Sequence, residues 1–259
     1  MASSRTTVYL FAGDSLTEGL HGISYVERIA QALAEGRGGL RGQAVNAGRR
    51  GDTARALLAR IDEPLRQSHP QWVILAVGSN DVWLPWLSGR SLGWWLWLRY
   101  RRLRHGVTPT TDLDAFAAVY RALIDRARTV AGARVLACTV SPLGEDLASP
   151  VNRQVARLNG AIKRVATDCQ VPVADVWQAF VGELAPLRQP SRLLPRWSWS
   201  AWWDRRCLRI MLPDEISRRR HLQLTYDGIH LNRRGADLWA AAVLVALARE
   251  ERSWRAADE

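Results

Sequence analysis

Lysine is almost missing from this sequence of 259 residues. Lys163 stands alone among 36 Lys and Arg residues, so the formal net charge of +11 rests almost wholly on arginine. A GC-rich genome accounts for such a bias, and a basic surface leaves nucleic acid, anionic lipid and acidic substrates open as partners. The position of the arginines therefore matters more than their number. Cysteine is scarce as well. Cys138, Cys169 and Cys207 are odd in number and lack CxxC spacing, which indicates neither a disulfide framework nor a zinc site and fits a reducing cytoplasm. Long apolar runs are absent: the longest, Leu238 to Ala248, is about half of the ~20 residues a spanning helix needs. The run Val8 to Ala12 is too short for a signal-peptide core and ends in Gly-Asp-Ser rather than a cleavage site. No low-complexity tract interrupts a chain that is 47% apolar, which argues against disorder. At this length roughly three-quarters of the unfolded surface can be buried.

What is present alternates. Thr7 to Ala12, the short Ala44–Val45 pair, Trp72 to Val77, Arg134 to Thr139 and Pro172 to Val176 read as strands. Between and after them, helical periodicity covers about 24–35, 52–67 with Asp52 as N-cap, 112–130, 151–168 and 236–250. Five strands alternating with helices predict an α/β fold, a three-layer α/β/α sandwich on a parallel sheet, because each crossover must return over one face. One domain over residues 1–259 is the economical reading. Two stretches, about 82–109 and 182–224, do not fit the alternation, and connections of that length are uncommon unless functional or flexible.

Four short segments carry the chemistry: Gly13-Asp14-Ser15-Leu16, Asn46-Ala47-Gly48, Gly78-Ser79-Asn80-Asp81 and Asp227-Gly228-Ile229-His230. The first three each follow a predicted strand, so in a parallel sheet they meet on one rim, where open α/β sheets place their sites. Serine needs a base within hydrogen-bond reach and a third group to hold that base in the right tautomer. His230 and Asp227, three positions apart on one turn, can supply both to Ser15. A tetrahedral oxyanion needs donors, and the bare backbone at Gly48 and the side-chain amide of Asn80 are the candidates. Each segment taken alone also reads as an ordinary turn. Their joint occurrence, in order and each at a strand end or the final turn, favours serine-dependent ester hydrolysis through an acyl-enzyme.

At these residues, with Leu231-Asn232 after His230, the chain resembles the SGNH hydrolases of the GDSL esterase and lipase family over perhaps two-thirds of its length. The resemblance implies a flavodoxin-like sandwich, Ser15 as nucleophile, His230 as base and Asp227 as its partner. It further implies an oxyanion hole from the Ser15 and Gly48 amides and Asn80, and neither metal nor cofactor. The same triad serves an acyltransferase, and a non-catalytic membrane- or nucleic-acid-binding protein on a hydrolase scaffold is the reading from another class. The complete triad weighs against the last.

The two long stretches depart from the family framework. Trp83, Trp86, Trp94, Trp95 and Trp97 lie in the first and Trp197, Trp199, Trp202 and Trp203 in the second, nine of the thirteen tryptophans, and arginines follow both groups. Indole rings prefer a membrane interface and arginine prefers anionic head groups. Contact with an anionic membrane surface through Trp94, Trp95, Trp97, Trp199, Trp202 and Trp203 is the preferred reading, placing a cytoplasmic protein peripherally at the inner membrane face. A hydrophobic lid and an oligomer interface are its rivals. Nucleic acid ranks last, since no nucleic-acid fold signature accompanies these residues. Walls of tryptophan and leucine beside the catalytic rim favour a lipid-like or long-chain acyl ester over a small acetyl group. Arg49 and Arg50, next to Gly48, read as solvated surface residues ahead of the alternative that they pair with an anionic head group, and His21, His69, His105 and His221 read as loop or cap residues. Cys138 reads as a small buried side chain rather than a nucleophile.

Overall fold

The computed structural model describes residues 6–90, 92–105, 108–186 and 211–258. In chain order its elements are β1 (Val8–Gly13), α1 (Ser15–Glu18), α2 (Tyr25–Glu35), β2 (Gln43–Asn46), α3 (Ala54–Leu58) and α4 (Asp62–Ser68). There follow β3 (Trp72–Ala76), α5 (Ser79–Ser88), α6 (Leu92–His105), α7 (Leu113–Ala131), β4 (Arg134–Cys138) and α8 (Pro150–Asp168). The described chain closes with β5 (Val173–Ala174), α9 (Val176–Leu184), α10 (Pro213–Arg219) and α11 (Arg233–Asp258).

The five strands form one parallel sheet in the order β2-β1-β3-β4-β5. α3, α4, α7 and α8 pack together on one face, and α2, α9 and α11 on the other. Both faces being covered, β3 is buried at every position from Trp72 to Ala76, which is why it reads as a continuous apolar run rather than an alternating one. The chain leaves β1 toward β2 on one side and leaves β3 toward β4 on the other. The crevice that opens at such a reversal lies outside the carboxyl ends of β1 and β3. Ser15 and Asn80 stand at those two ends.

Three expected elements differ. The helix anticipated over 52–67 is two helices: Thr53 caps α3 by accepting from the Ala56 amide, and α3 ends at Leu58. Asp52, expected as that cap, instead accepts from Arg60 Nε at 2.6 Å. The fifth strand shrinks to two residues, because Pro172 has no amide to donate and Asp175 already caps α9 through the Gln178 amide. The last helix is longer than its apolar run at both ends, and the Asn232 side chain accepts from the Gly235 amide at its start. The first long stretch is not a loop. It is the body of α5 and all of α6, with Trp83 stacked on Trp86 at 5.1 Å and Arg90 lying 4.1 Å over the Trp86 ring. In the second stretch, Trp197, Trp199, Trp202 and Trp203 lie outside the described residues.

Candidate active site

Ser15 is the first residue of α1, set on the rim by a tight exit from β1. Asp14 caps the helix by accepting from the Leu16 amide at 3.0 Å. Ser15 Oγ lies 3.2 Å from His230 Nε2, and His230 Nδ1 lies 2.7 Å from Asp227 Oδ2. The other Asp227 oxygen accepts from the amides of Ile229 at 2.8 Å and His230 at 2.7 Å, so the carboxylate is clamped by the turn it belongs to. An acceptor carboxylate at Nδ1 assigns the ring proton to that nitrogen and leaves the Nε2 lone pair toward the serine. Residues 215 apart in sequence are thus joined in one hydrogen-bonded line.

No sheet strand carries His230. Its turn is closed by the Tyr226 amide donating to the His230 carbonyl at 3.0 Å and by an antiparallel bridge between Thr225 and Leu231. One attachment to the rest of the protein, beside the core contacts of Leu224, Ile229 and Leu231, is Glu145, a buried residue in the loop after β4. Its carboxylate accepts from the amides of Gln223, Leu224 and Thr225 at 2.6, 2.8 and 3.0 Å and from the Thr225 hydroxyl at 3.0 Å. Beside it the Gly144 amide donates to the Gly228 carbonyl at 2.5 Å. Nothing in the sequence pattern marks Glu145 except its place after a strand on the same rim.

Asn80 sits in the first turn of α5, mostly buried, with Nδ2 donating to the Asp52 carbonyl at 2.9 Å. One amide hydrogen remains for another acceptor. Gly48 departs from expectation. Its amide donates to Asn46 Oδ1 at 2.9 Å, while Asn46 Nδ2 donates to the Thr17 carbonyl at 2.7 Å. A Cβ at position 48 would fall 2.2 Å from Glu18 N and 2.6 Å from Thr17 C, so the bare backbone here serves close packing on α1 rather than approach to a substrate. Three residues later, Asp52 N bonds to Arg49 O at 3.1 Å, closing a turn with Gly51 at its third position. Gly51 has φ 82°, the left-handed conformation that favours glycine. It adjoins the carbonyl that holds Asn80. The Gly51-Asp52 pair has turn composition in the sequence, but Gly48 lies nearer the end of the strand.

Arg60, unmarked in the sequence, ties these parts together. Besides the Asp52 contact, its Nη2 donates to the carbonyls of Ala47 at 2.8 Å and Gly13 at 3.5 Å, linking the first and second segments. Two buried carboxylates lie behind the rim. Burial pushes Asp14 up to about 6, against the Leu16 amide and the charge of His230, which favour its ionised form. Burial likewise pushes Asp81 up to about 7, against the amides of Thr110 and Ala54 that bond to it. Cys138 is fully buried and its thiol is pushed up to about 12 by that burial, which keeps it protonated and inert. His21, read as a loop residue, meets His230 in an edge contact with ring centroids 5.5 Å apart, and the Tyr226 ring stacks on His230 at 6.0 Å. Among the described residues no three His, Cys, Asp or Glu side chains converge as metal ligands, and no helix is long and apolar enough to cross a membrane.

Known proteins resemble this chain in sequence and in fold. The sequence profile of the GDSL-like lipase/acylhydrolase family matches residues 11–193. An acetylxylan esterase from Geobacillus stearothermophilus is 25% identical over 212 residues, covering 76% of this chain and 84% of that protein. The crystal structure of an acetylxylan esterase from the same organism superposes with a TM-score of 0.61 at 20% identity, over 93% of each chain. That of the acetyl xylan esterase AlAXEase gives 0.63 at 22% identity, over 92% of this chain and 98% of the other.

Proposed function

The chain belongs to the GDSL-like lipase/acylhydrolase family and is an ester-hydrolysing serine hydrolase, and from that premise we propose that Ser15, His230 and Asp227 carry the reaction. The hydrogen-bonded line from Asp227 through His230 to Ser15 is the observation that supports this most directly. Ser15 Oγ attacks the ester carbonyl as its proton passes to His230 Nε2, and Asp227 stabilises the imidazolium. The amides of Ser15 and Gly51 and the second Asn80 hydrogen receive the oxyanion; Gly51 replaces Gly48, whose amide is held by Asn46. The alcohol departs with the proton from His230. Water, deprotonated by the same nitrogen, then releases the acid and restores Ser15. Fluorophosphonate labelling and turnover of nitrophenyl esters, both abolished in Ser15→Ala, are the expected results. Unchanged turnover in that variant sinks the assignment. Products formed with added alcohols or amines separate hydrolysis from acyl transfer.

For the acyl group we propose a lipid-like or long-chain ester met at an anionic membrane surface, at the inner face of the membrane, with residues 1–259 working as one hydrolase domain. What supports it is the outward face of α6. Leu92, Trp95, Leu96, Tyr100 and Leu103 follow the i, i+3, i+4, i+8, i+11 spacing of an apolar helix stripe, yet all are exposed, with Leu103 at 77%. Arg99 lies within the stripe, 5.6 Å over Trp95. Trp94 is half-buried and meets Trp97 edge-on, so the contact falls on Leu92, Leu96 and Tyr100 more than on Trp94. Leu96→Ser with Tyr100→Ser should reduce co-sedimentation with anionic liposomes; equal recovery removes the idea. A second reading, an acetyl ester on a carbohydrate carrier, draws on the acetylxylan esterase relative. Rates on acetyl against lauroyl esters, and acetate release from acetylated xylan, decide between the two.

A further inference from the structure

The rim beside His230 carries a charge that hydrolysis does not consume. Arg50 occupies the second position of the turn from Arg49 to Asp52, is exposed, and donates from Nη1 to His21 Nε2 at 2.6 Å. An arginine has only donors, so His21 Nε2 is the acceptor and that ring is neutral. A neutral partner positions the guanidinium without cancelling its charge. Arg49, also exposed, adjoins it. His21 in turn is the ring edge-on to His230.

The reaction fixes which half of the substrate meets this pair. The leaving oxygen takes its proton from His230 Nε2, so the alcohol half lies over that imidazole, and the next ring along the rim is His21. Building on the triad reading above, we propose that Arg50, held by His21, forms an anion subsite for the alcohol half. The enzyme thus selects esters whose alcohol bears a carboxylate or a phosphate. The planar guanidinium has five N–H groups and matches either anion through paired bonds, one of its donors being used by His21. Arg50 acts on binding the substrate rather than on the bond that breaks.

A matched pair of esters tests this: 4-acetoxybenzoate, with a charged alcohol half, and its neutral methyl ester. 4-Acetoxyphenyl phosphate serves as the third arm and separates phosphate from carboxylate recognition. The readout is the ratio of kcat/KM for charged over neutral substrate, compared between the wild type and Arg50→Gln so that intrinsic reactivities cancel. The expected result is a fall in that ratio of about tenfold, the scale of one charge-assisted hydrogen bond, expressed in KM rather than kcat. Arg50→Lys should recover part of it, and 0.5 M salt should narrow the wild-type ratio. The same ratio in both proteins, with the neutral ester turned over, overturns the subsite and leaves the hydrolase reading standing. Failure of the wild type to turn over any of the three esters, or the lauroyl counterparts of any of them, overturns both.

Discussion

Asparagine in place of Asp14 should stabilise the fold at neutral pH, destabilise it in acid, and slow the enzyme. Asp14 is 1% exposed, and one of its oxygens accepts from the Leu16 amide while the other, Oδ2, is buried with no hydrogen-bond partner. Burial raises this group from 3.8 to about 6. A raised value means that the folded state holds the proton more tightly than the unfolded chain. The resulting stability is fully present below about 3.8 and is lost as pH rises through about 6. At 1.36 kcal/mol per unit, the ionised carboxylate costs the fold about 3 kcal/mol at pH 7.5. Asparagine cannot ionise. It keeps the oxygen that caps α1 and replaces only the unpartnered one, and the new buried NH2, with the Ser79 hydroxyl beside it, costs about 1–2 kcal/mol. The balance is a gain of about 1–2 kcal/mol at pH 7.5 and a loss of similar size at pH 4, so the sign reverses between them. Urea unfolding of both proteins at the two pH values measures it. Because the Asp14 charge also attracts the imidazolium that the proposed reaction forms, kcat/KM should fall by about tenfold or less. A stability difference of the same sign and size at both pH values refutes the reasoning.

Three further outcomes are expected. Asp227→Asn presents an NH2 to His230 Nδ1, forces the other tautomer, and should lower kcat by about 10⁴ with little change in melting. Glu145→Gln turns a donor toward donors in a site that now holds four, and should cost about 1–3 kcal/mol in urea unfolding while lowering kcat more than it changes KM. Arg60→Met releases the Ala47 and Gly13 carbonyls and the Asp52 carboxylate, and should slow fluorophosphonate labelling by about 10–100-fold, less than removal of an oxyanion donor itself.

The sheet was legible because β1, β3 and β4 are buried on both faces and therefore spell unbroken apolar runs. Burial in the interior leaves no other pattern possible. The hydrogen-bonded line of Ser15, His230 and Asp227 was legible because each member sits at an element end with a short, typed sequence around it. What escaped is held by long-range contacts whose partners share no spacing. Glu145 meets residues about 80 positions away, Arg60 bonds to carbonyls that every residue possesses, and His21 gains meaning only from the ring opposite it. The helix break after Leu58 escaped because the apolar periodicity continues through Ile61 although the backbone hydrogen bonds do not. Gly48 was misread for a related reason: a sequence shows that a side chain is absent but not which neighbour fills the space, and here it is α1. The α6 stripe had the right residues for an interior face. Only coordinates show it turned to solvent.

Since His230, the proposed general base, rides on a turn outside the sheet, tied by the Glu145 carboxylate and by Leu224 and Ile229 in the core, the temperature at which this enzyme stops working should be set by release of that turn rather than by separation of the strands. Warming that frees residues 223–230 separates His230 from Ser15 while the strands stay paired. Turnover should then fade at a temperature where circular dichroism still reports an intact protein, and should return on cooling.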